Sequence, residues 1–346
     1  MRFAASRSFR ISHCRIGKPF PRFVPLRRYA EVGDEFYNAA MSTIHTRVLQ
    51  ETAVRYFLEV VRRGSITEAA NTLNVASSAI SRQIARLEAE LDTPLFERVA
   101  RGMRPNAAGE LLAAHALRMQ LEAERIGNEL AALKGLRRGE VKLACTEGFA
   151  LEFVPATIEQ FCRQHKGIRF QLSVGNAMHV AQQIREGAVD LGLTFTMAPD
   201  ADIKVEFAQR APILAVMHPA HELAHRKQVS LSELAPYPLA MPKKTITMRR
   251  LIDACCSRRN VLLEPTLAAD SISALLCFVM AGQGIGFSAA LPIRKLVREG
   301  KLVALPIRDK DMNTLQLEIQ SLAGRTLPDA ARAFLNALIA RAAGRH

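Results

Sequence analysis

Residues 64–91 read GSITEAANTLNVASSAISRQIARLEAEL, two short helical patterns joined by a polar turn. Ser65 and Glu68 have the S-x-x-E spacing of a capping box, in which the serine accepts from an orphan backbone N–H and the glutamate reaches back. Behind that start, Ile66, Ala69, Ala70 and Leu73 give a narrow apolar face whose alanines let another helix come close. Past the turn Asn74-Val75-Ala76, the residues Ile80, Ile84, Leu87 and Leu91 recur at spacings of four, three and four. They form the stripe of a second helix. At about 100° per residue, Ser78, Arg82, Ala85 and Arg86 project from its other side, with Ser77 and Ser81 toward the edge.

Two roles fit that polar face. Small hydroxyl residues leading into two arginines suit a helix laid in a major groove, where arginine addresses guanine edges or phosphates. A solvated face is the plainer alternative and the more common fate of such a pattern taken alone. The flanks favour DNA. Upstream, Val54, Phe57, Leu58 and Val61 mark one buried face of a helix that starts near residue 49 and stops at Arg63-Gly64. The unit is then tri-helical with a short middle helix. Downstream, Leu95-Phe96 returns to the core, and Arg98, Arg101, Gly102 and Arg104 make a short basic hairpin before Asn106 caps a new helix. Such a hairpin beside a recognition helix is a wing, placed to touch phosphates or the minor groove. A surface loop is the alternative, weakened because no acid is interleaved after Glu97.

The helix after Asn106 is the most regular feature of the chain. Leu112, Ala116, Met119, Ala123, Ile126, Leu130 and Leu133 alternate spacings of four and three, an a/d seam that favours pairing of two helices. A packing partner within the chain is the competing reading. The segment KGLRRGE, Lys134 to Glu140, breaks the helix and acts as a hinge. From Val141 the pattern turns to strand–helix alternation: VKLAC, a helix from about Glu152 to Gln164, RFQLSV, a helix near 177–186, then VDLGLTF. A second set follows with PILAVM, PLAMP, a helix after Thr247, VLLEPTLA, a helix over 271–281 and GIGFSA. LQLEIQ and a helix over 328–342 close the chain. Two α/β lobes with mostly parallel sheets follow, with a ligand cleft expected at the carboxyl ends of the strands.

Composition bounds these readings. The chain has 346 residues and a formal charge of +14, enough length for two or three domains. Yet residues 41–110 carry nine basic against eight acidic side chains, so bulk charge does not mark a DNA-reading part. Residues 1–40 carry eight basic against three acidic. They resemble a transit peptide or a basic arm, and the plainer reading, preferred here, is a disordered extension ahead of a start at Met41. The longest apolar run falls short of the roughly 18–20 residues of a membrane helix. Six cysteines without C-x-x-C spacing or a secretory signal point to reduced thiols in a cytoplasm.

Three smaller features have plain readings. GQGIG at 282–286 follows a helix where a dinucleotide loop needs a strand, so it reads as a turn. Adjacent Cys255 and Cys256 read as structural thiols. His218, His221 and His225 surround Pro219 and read as a solvated loop rather than a metal site. No cofactor is implied, and no nucleophile–base–orienter set is recognisable.

The stretch FLEVVRRGSITEAANTLNVASSAISRQIARLEAELDTPLFER resembles the LysR-type transcriptional regulators, through its G-S-x-T-x-A-A block, its S-R-Q-I-x-x-L-E block and its L-F-x-R ending. The resemblance runs from about Val54 to the C-terminus, including GEVKLACTEGF and FVMAGQGIGFSAALP. Three positions depart from the pattern. Asn106 replaces the usual threonine and caps equally well, Ser77-Ser78 stand where Gln and Pro are frequent, and Asp92 replaces a common glycine, a change expected to matter little.

The resemblance implies an α/β protein with an N-terminal winged helix-turn-helix, a long linker helix and a two-lobed, periplasmic-binding-protein-like effector domain. The implied divisions are a basic extension over 1–48, a DNA-binding domain over 49–106 and a linker and dimerisation helix over 107–138. The effector domain takes 139–346, with lobe I about 139–209 and 309–346 and lobe II about 210–308. DNA contacts fall to Thr67, Ser77, Ser78, Ser81, Arg82 and Arg86, with Arg98 and Arg101 in the wing. Dimerisation falls to Leu112, Met119, Ile126 and Leu133. The effector is expected among Thr146, Glu147 and Gly148 after the first strand, Asn176 after the second, Thr196 at the crossover, and Thr247 and Ser271 before helices of the second lobe. Hydroxyls and free N–H groups there suit a polar or carboxylate effector, whereas Glu147 would repel an anion and leaves a neutral or amine-bearing one equally open. Implied partners are an inverted-repeat promoter site in double-stranded DNA, a small-molecule effector, a second copy in a homodimer or homotetramer, and RNA polymerase, with no membrane partner. A periplasmic-type binding protein would need a signal peptide and no DNA module. An α/β enzyme with a helical regulatory domain would turn over its ligand.

Overall fold

The computed structural model describes residues 52–99, 102–133, 139–197 and 200–344, without the side chains of residues 98, 99, 128 and 131–133. The extension over 1–48, Arg101, the hinge at 134–138 and the side chains of Arg98 and Leu133 lie outside the described residues.

Three helices form the first unit: α1 (Thr52–Arg63), α2 (Ile66–Leu73) and α3 (Ser77–Glu90). Phe57, Ile80 and Leu87 are fully buried, each contributing about 1.5–3 kcal/mol by leaving water. The serine half of the expected cap forms, with Ser65 Oγ accepting from the Glu68 N–H at 3.4 Å. A complete capping box occurs elsewhere, at Ser230 and Glu233, where it starts a one-turn helix over Leu231–Leu234. Asn74 ends α2 at φ 58° and Asp92 follows α3 at φ 48°. The aspartate therefore occupies a left-handed position, which glycine adopts without cost and which aspartate tolerates better than most side chains.

Strands β1 (Phe96–Val99) and β2 (Gly102–Pro105) make the antiparallel wing. Gly102 has φ 109°, and a Cβ on it would lie 2.3 Å from the Gly64 carbonyl oxygen, so only glycine lets the wing approach the end of α1. The long helix α4 (Ala107–Leu133) starts at Asn106, whose Oδ1 accepts from the Gly109 N–H at 2.9 Å while Nδ2 donates to the Pro94 carbonyl at 2.8 Å. One side chain thus ties helix start to wing.

The remaining chain builds two five-stranded sheets. The first uses β3 (Glu140–Thr146), β4 (Arg169–Gly175), β5 (Leu191–Thr196), β6 (Ile203–Arg210) and β12 (Gln316–Leu322), in the order β4-β3-β5-β12-β6. The second uses β7 (Ile213–Met217), β8 (Leu239–Pro242), β9 (Pro265–Ala269), β10 (Ile285–Ala289) and β11 (Val303–Pro306), in the order β11-β7-β10-β8-β9. In each sheet two neighbouring pairs are parallel and two antiparallel, so the sheets are mixed rather than mostly parallel. The antiparallel halves arise because the chain passes from β6 directly into β7 of the other sheet and returns from β11 to β12. Helices α5 (Glu147–Ala150), α6 (Phe153–Gln164), α7 (Ala177–Arg185) and α12 (Asp329–Ala342) belong with the first sheet, and α9 (Thr247–Arg259), α10 (Ile272–Met280) and α11 (Ala290–Arg298) with the second; the Leu231–Leu234 turn is α8.

One face of the first half of α4 is buried within the chain. Leu112, Leu117 and Leu121 share a core with Val54 and Phe57 of α1 and with Val180 and Ile184 of α7. The seam therefore has an intramolecular partner at its start, while Ile126 and Leu130 stay 45% and 55% exposed.

Candidate functional site

Two sites emerge, one on α3 and one between the sheets. On α3 the buried Ile80, Ile84 and Leu87 fix the rotation of the helix. Ser77, Ser78, Ser81, Arg82, Ala85 and Arg86 are consequently exposed together, as is Thr67 on α2. The arginines differ. Arg86 Nε donates to Glu90 Oε1 at 2.6 Å, an exposed pair one turn along the helix. Arg82 makes no hydrogen bond or ion pair with a described residue, so its guanidinium is available to a ligand. Arg104 of the wing is exposed, whereas Arg98 and Arg101 have no described side chain.

The second site is a cavity of about 490 Å³ at the carboxyl ends of β3 and β4 and the facing ends of the second sheet. It brings together Thr146, Glu147, Gly148, Asn176 and Thr247. Thr196 and Ser271 are not on its wall: Thr196 pairs with Gln316 across the ladder, and Ser271 caps α10 by accepting from the Ala274 N–H. Asn176 caps α7 in the same way, accepting from the His179 N–H at 2.9 Å. Sequence reasoning missed Phe195, which stacks on Phe149 with ring centroids 4.7 Å apart and packs against the cores of both sheets. Nothing in an alternating strand marks such a residue. It also missed Ser273, although the hydroxyl pair Ser271-Ile272-Ser273 at a helix start was visible.

Glu147 reaches from the first sheet's α5 to the second sheet's α10. Its Oε1 accepts from Ser271 Oγ at 3.0 Å, Ser273 Oγ at 2.7 Å and the Ser273 N–H at 3.2 Å, and its Oε2 accepts from the Ile272 N–H at 2.6 Å. Burial pushes this carboxyl up, but the bonds from Ser273, Ile272 and Ser271 outweigh it and hold the group below the ordinary glutamate range. The charge also sits at the positive end of a helix. A second cross-lobe bond runs from the Lys295 N–H to Glu152 Oε2 at 3.2 Å. The sequence leaves open whether Glu147 disfavours an anionic effector; the structure adds that its oxygens already accept four hydrogen bonds from the start of α10.

The remaining polar groups are few. Thr146 Oγ1 is buried and has no hydrogen-bond partner among the described residues. Asp270, the other carboxylate on the wall, is paired with Lys243 at 3.1 Å, which holds it below the usual aspartate range. Among the described residues, no lysine, arginine or histidine lines the cavity.

The features set aside in the sequence fall elsewhere. Gly284 of GQGIG has φ 140° and a Cβ there would lie 2.1 Å from the Pro238 carbonyl oxygen, so the turn serves the close approach of β10 to β8. Cys255 and Cys256 are buried on α9, and burial pushes the Cys256 thiol up to about 11. His218 and His221 accept from the N–H groups of Ala220 and Leu223, which caps turns.

With this geometry in place, comparison with known proteins gives one answer. Residues 52–110 match the family described as bacterial regulatory helix-turn-helix protein, lysR family, and residues 134–343 match the LysR substrate binding domain. The chain is 26% identical over 303 residues to the RuBisCO operon transcriptional regulator of Acidithiobacillus ferrooxidans, covering 88% of this chain and 96% of that one. In fold it is similar to a full-length OxyR cysteine-to-aspartate variant from Pseudomonas aeruginosa, at 17% identity and TM-score 0.62, over 86% of this chain and 95% of that one. The effector binding domain of QuiR in complex with shikimate is similar at 19% identity and TM-score 0.50, over 60% of this chain and 99% of that one. No described helix is long and apolar enough to cross a membrane.

Proposed function

The chain belongs to the LysR family of bacterial regulatory helix-turn-helix proteins, and from that premise we propose that α3 reads an inverted-repeat promoter site under the control of a small molecule held between the two sheets. The protein is a DNA-binding transcriptional regulator with an effector-binding domain. The observation that carries the finer reading is the exposed Ser77–Arg86 face of α3, held outward by Ile80, Ile84 and Leu87. Thr67 of α2 and the wing arginines Arg98 and Arg101 add phosphate contacts that set its register. The cavity supports the effector half of the reading, since its size and mixed walls suit a small polar molecule. The bound shikimate in the similar QuiR domain supports it further. We read this half as a sensor rather than an enzyme, acting in the cytoplasm where promoter DNA and RNA polymerase are found.

Selection of fragmented genomic DNA on the protein, with and without Arg82→Glu, tests the reading. Discrete inverted-repeat sites lost in the variant are expected, and no enrichment by folded protein would sink it. A cavity-narrowing Ala177→Phe change is expected to leave site selection intact and abolish regulation in cells. Retained regulation would place the effector elsewhere.

A two-fold site calls for a two-fold protein. Leu112 is engaged in the chain's own core and Met119 is half-buried, which leaves Ile126 and Leu130 to face a second copy. Ile126→Glu puts a charge on that exposed strip without touching the core. It is expected to raise the dimer dissociation constant by roughly tenfold or more, measured by sedimentation. An undiminished dimer would mean that the copies meet through another surface.

A further inference from the structure

We propose that Glu147 is a resident carboxylate that fills the anion place of the cleft, so that the cleft selects a ligand that is uncharged or amine-bearing at its second-lobe end. This rests on the reading of the cavity as the effector site and narrows its ligand class.

The start of α10 offers two backbone N–H groups and two hydroxyls converging on one point, the donor set that recognises a carboxylate. All of them are taken by the chain itself, through the four bonds from Ser271, Ile272 and Ser273. A carboxylate has about four lone-pair sites, so Glu147 in turn has little left with which to hold an incoming cation. Its role is occupancy. A free carboxylate entering the cavity would have to displace Glu147, leaving that charge half-buried without its donors, or lie beside Glu147 and Asp270 with no basic side chain among the described wall residues to neutralise it. Both alternatives cost more than an anion gains. A hydroxyl or amine meets no such penalty, and the orphaned Thr146 Oγ1 on the neighbouring wall can donate to it or accept from it. The surrounding Phe195, Phe287 and Met248 cover its apolar part. Because Glu147 spans from α5 to α10, the bonds that exclude an anion also hold the two lobes together.

Thermal unfolding of the full chain in sodium acetate, against sodium chloride at matched ionic strength, tests this. Glu147→Ala frees the four donors and is expected to gain about 3 °C, saturably, in acetate, while the wild-type chain follows its chloride curve. Glu147→Gln keeps an acceptor in place, guards against misfolding of the alanine variant, and is expected to respond to acetate less than Glu147→Ala. Acetate stabilising the wild-type chain as much as Glu147→Ala would overturn the proposal, as would a Glu147→Ala chain, folded by circular dichroism, that acetate leaves unchanged. These outcomes concern Glu147 alone. Whether the cavity holds the effector is decided separately by the regulatory loss expected of Ala177→Phe.

Discussion

Asp190→Ala is expected to destabilise the first lobe by about 3–5 kcal/mol, read as a fall in its urea midpoint. Asp190 lies at the foot of β5 with a side chain almost wholly buried, and so does the guanidinium of Arg325 beyond β12. The carboxylate accepts from Arg325 Nη2 at 2.6 Å and from the Lys142 N–H of β3 at 2.8 Å, while Arg325 Nη1 donates to the Val189 carbonyl at 2.9 Å. One pair thus pins three adjacent strands at the end opposite the cavity. Alanine leaves a buried cation and a partly buried N–H without their shared carboxylate acceptor. The double change Asp190→Leu with Arg325→Leu removes both charges and is expected to lose less than the single one, because an apolar pair carries no desolvation penalty. A double variant as unstable as Asp190→Ala would show that packing rather than pairing holds the strands. The same end of the lobe meets α4, since Gly324 lies against the aliphatic part of Arg118. Loosening it should therefore also loosen the linker helix.

That pair shows where sequence reading stops. The helical unit was legible because its apolar residues recur at helical spacing and its termini carry capping chemistry, both local signals. α1, α2, α3 and the wing follow from them, as does the exposed face of α3. The strands beside helices were legible for the same reason. Strands β6 and β11 and helix α11 were not; β6 in particular is largely exposed and lacks alternation. The mixed order of the sheets could not be read either, since it depends on which sheet each crossover strand joins. At the cleft, polar side chains at strand ends and helix starts pointed to Thr146, Asn176 and Thr247, yet Glu147 was visible only as a charge. Its partners lie over 120 residues away in sequence, and spacing carries no information about such a contact. Asp190 and Arg325 fail for the same reason.

Arg82→Ala is expected to weaken specific DNA binding by about 1–3 kcal/mol per half-site, hence about 2–6 kcal/mol for a two-fold complex, roughly 30-fold to 2 × 10⁴-fold in affinity. Arg82 is exposed, on the side of α3 opposite Ile80, Ile84 and Leu87, so the change removes a contact without disturbing the core. Arg86 is a weaker candidate for the same effect, because its guanidinium is already engaged with Glu90 and must give up that pair to reach DNA. An exposed pair of this kind is worth less than about 1 kcal/mol, so the exchange is feasible but reduces the gain. The loss at Arg82 can be assigned to a base or a phosphate by varying sequence and salt. Contact with a guanine edge relaxes preference at one position of each half-site and leaves the salt dependence nearly intact. Contact with a phosphate lowers affinity uniformly across sequences and reduces the salt slope by about one per arginine removed. The serines at 77, 78 and 81 permit the close approach that base contact requires, which favours the first outcome. An Arg82→Ala protein that is folded, dimeric and undiminished in affinity at every salt concentration would move the reading face off this side of α3.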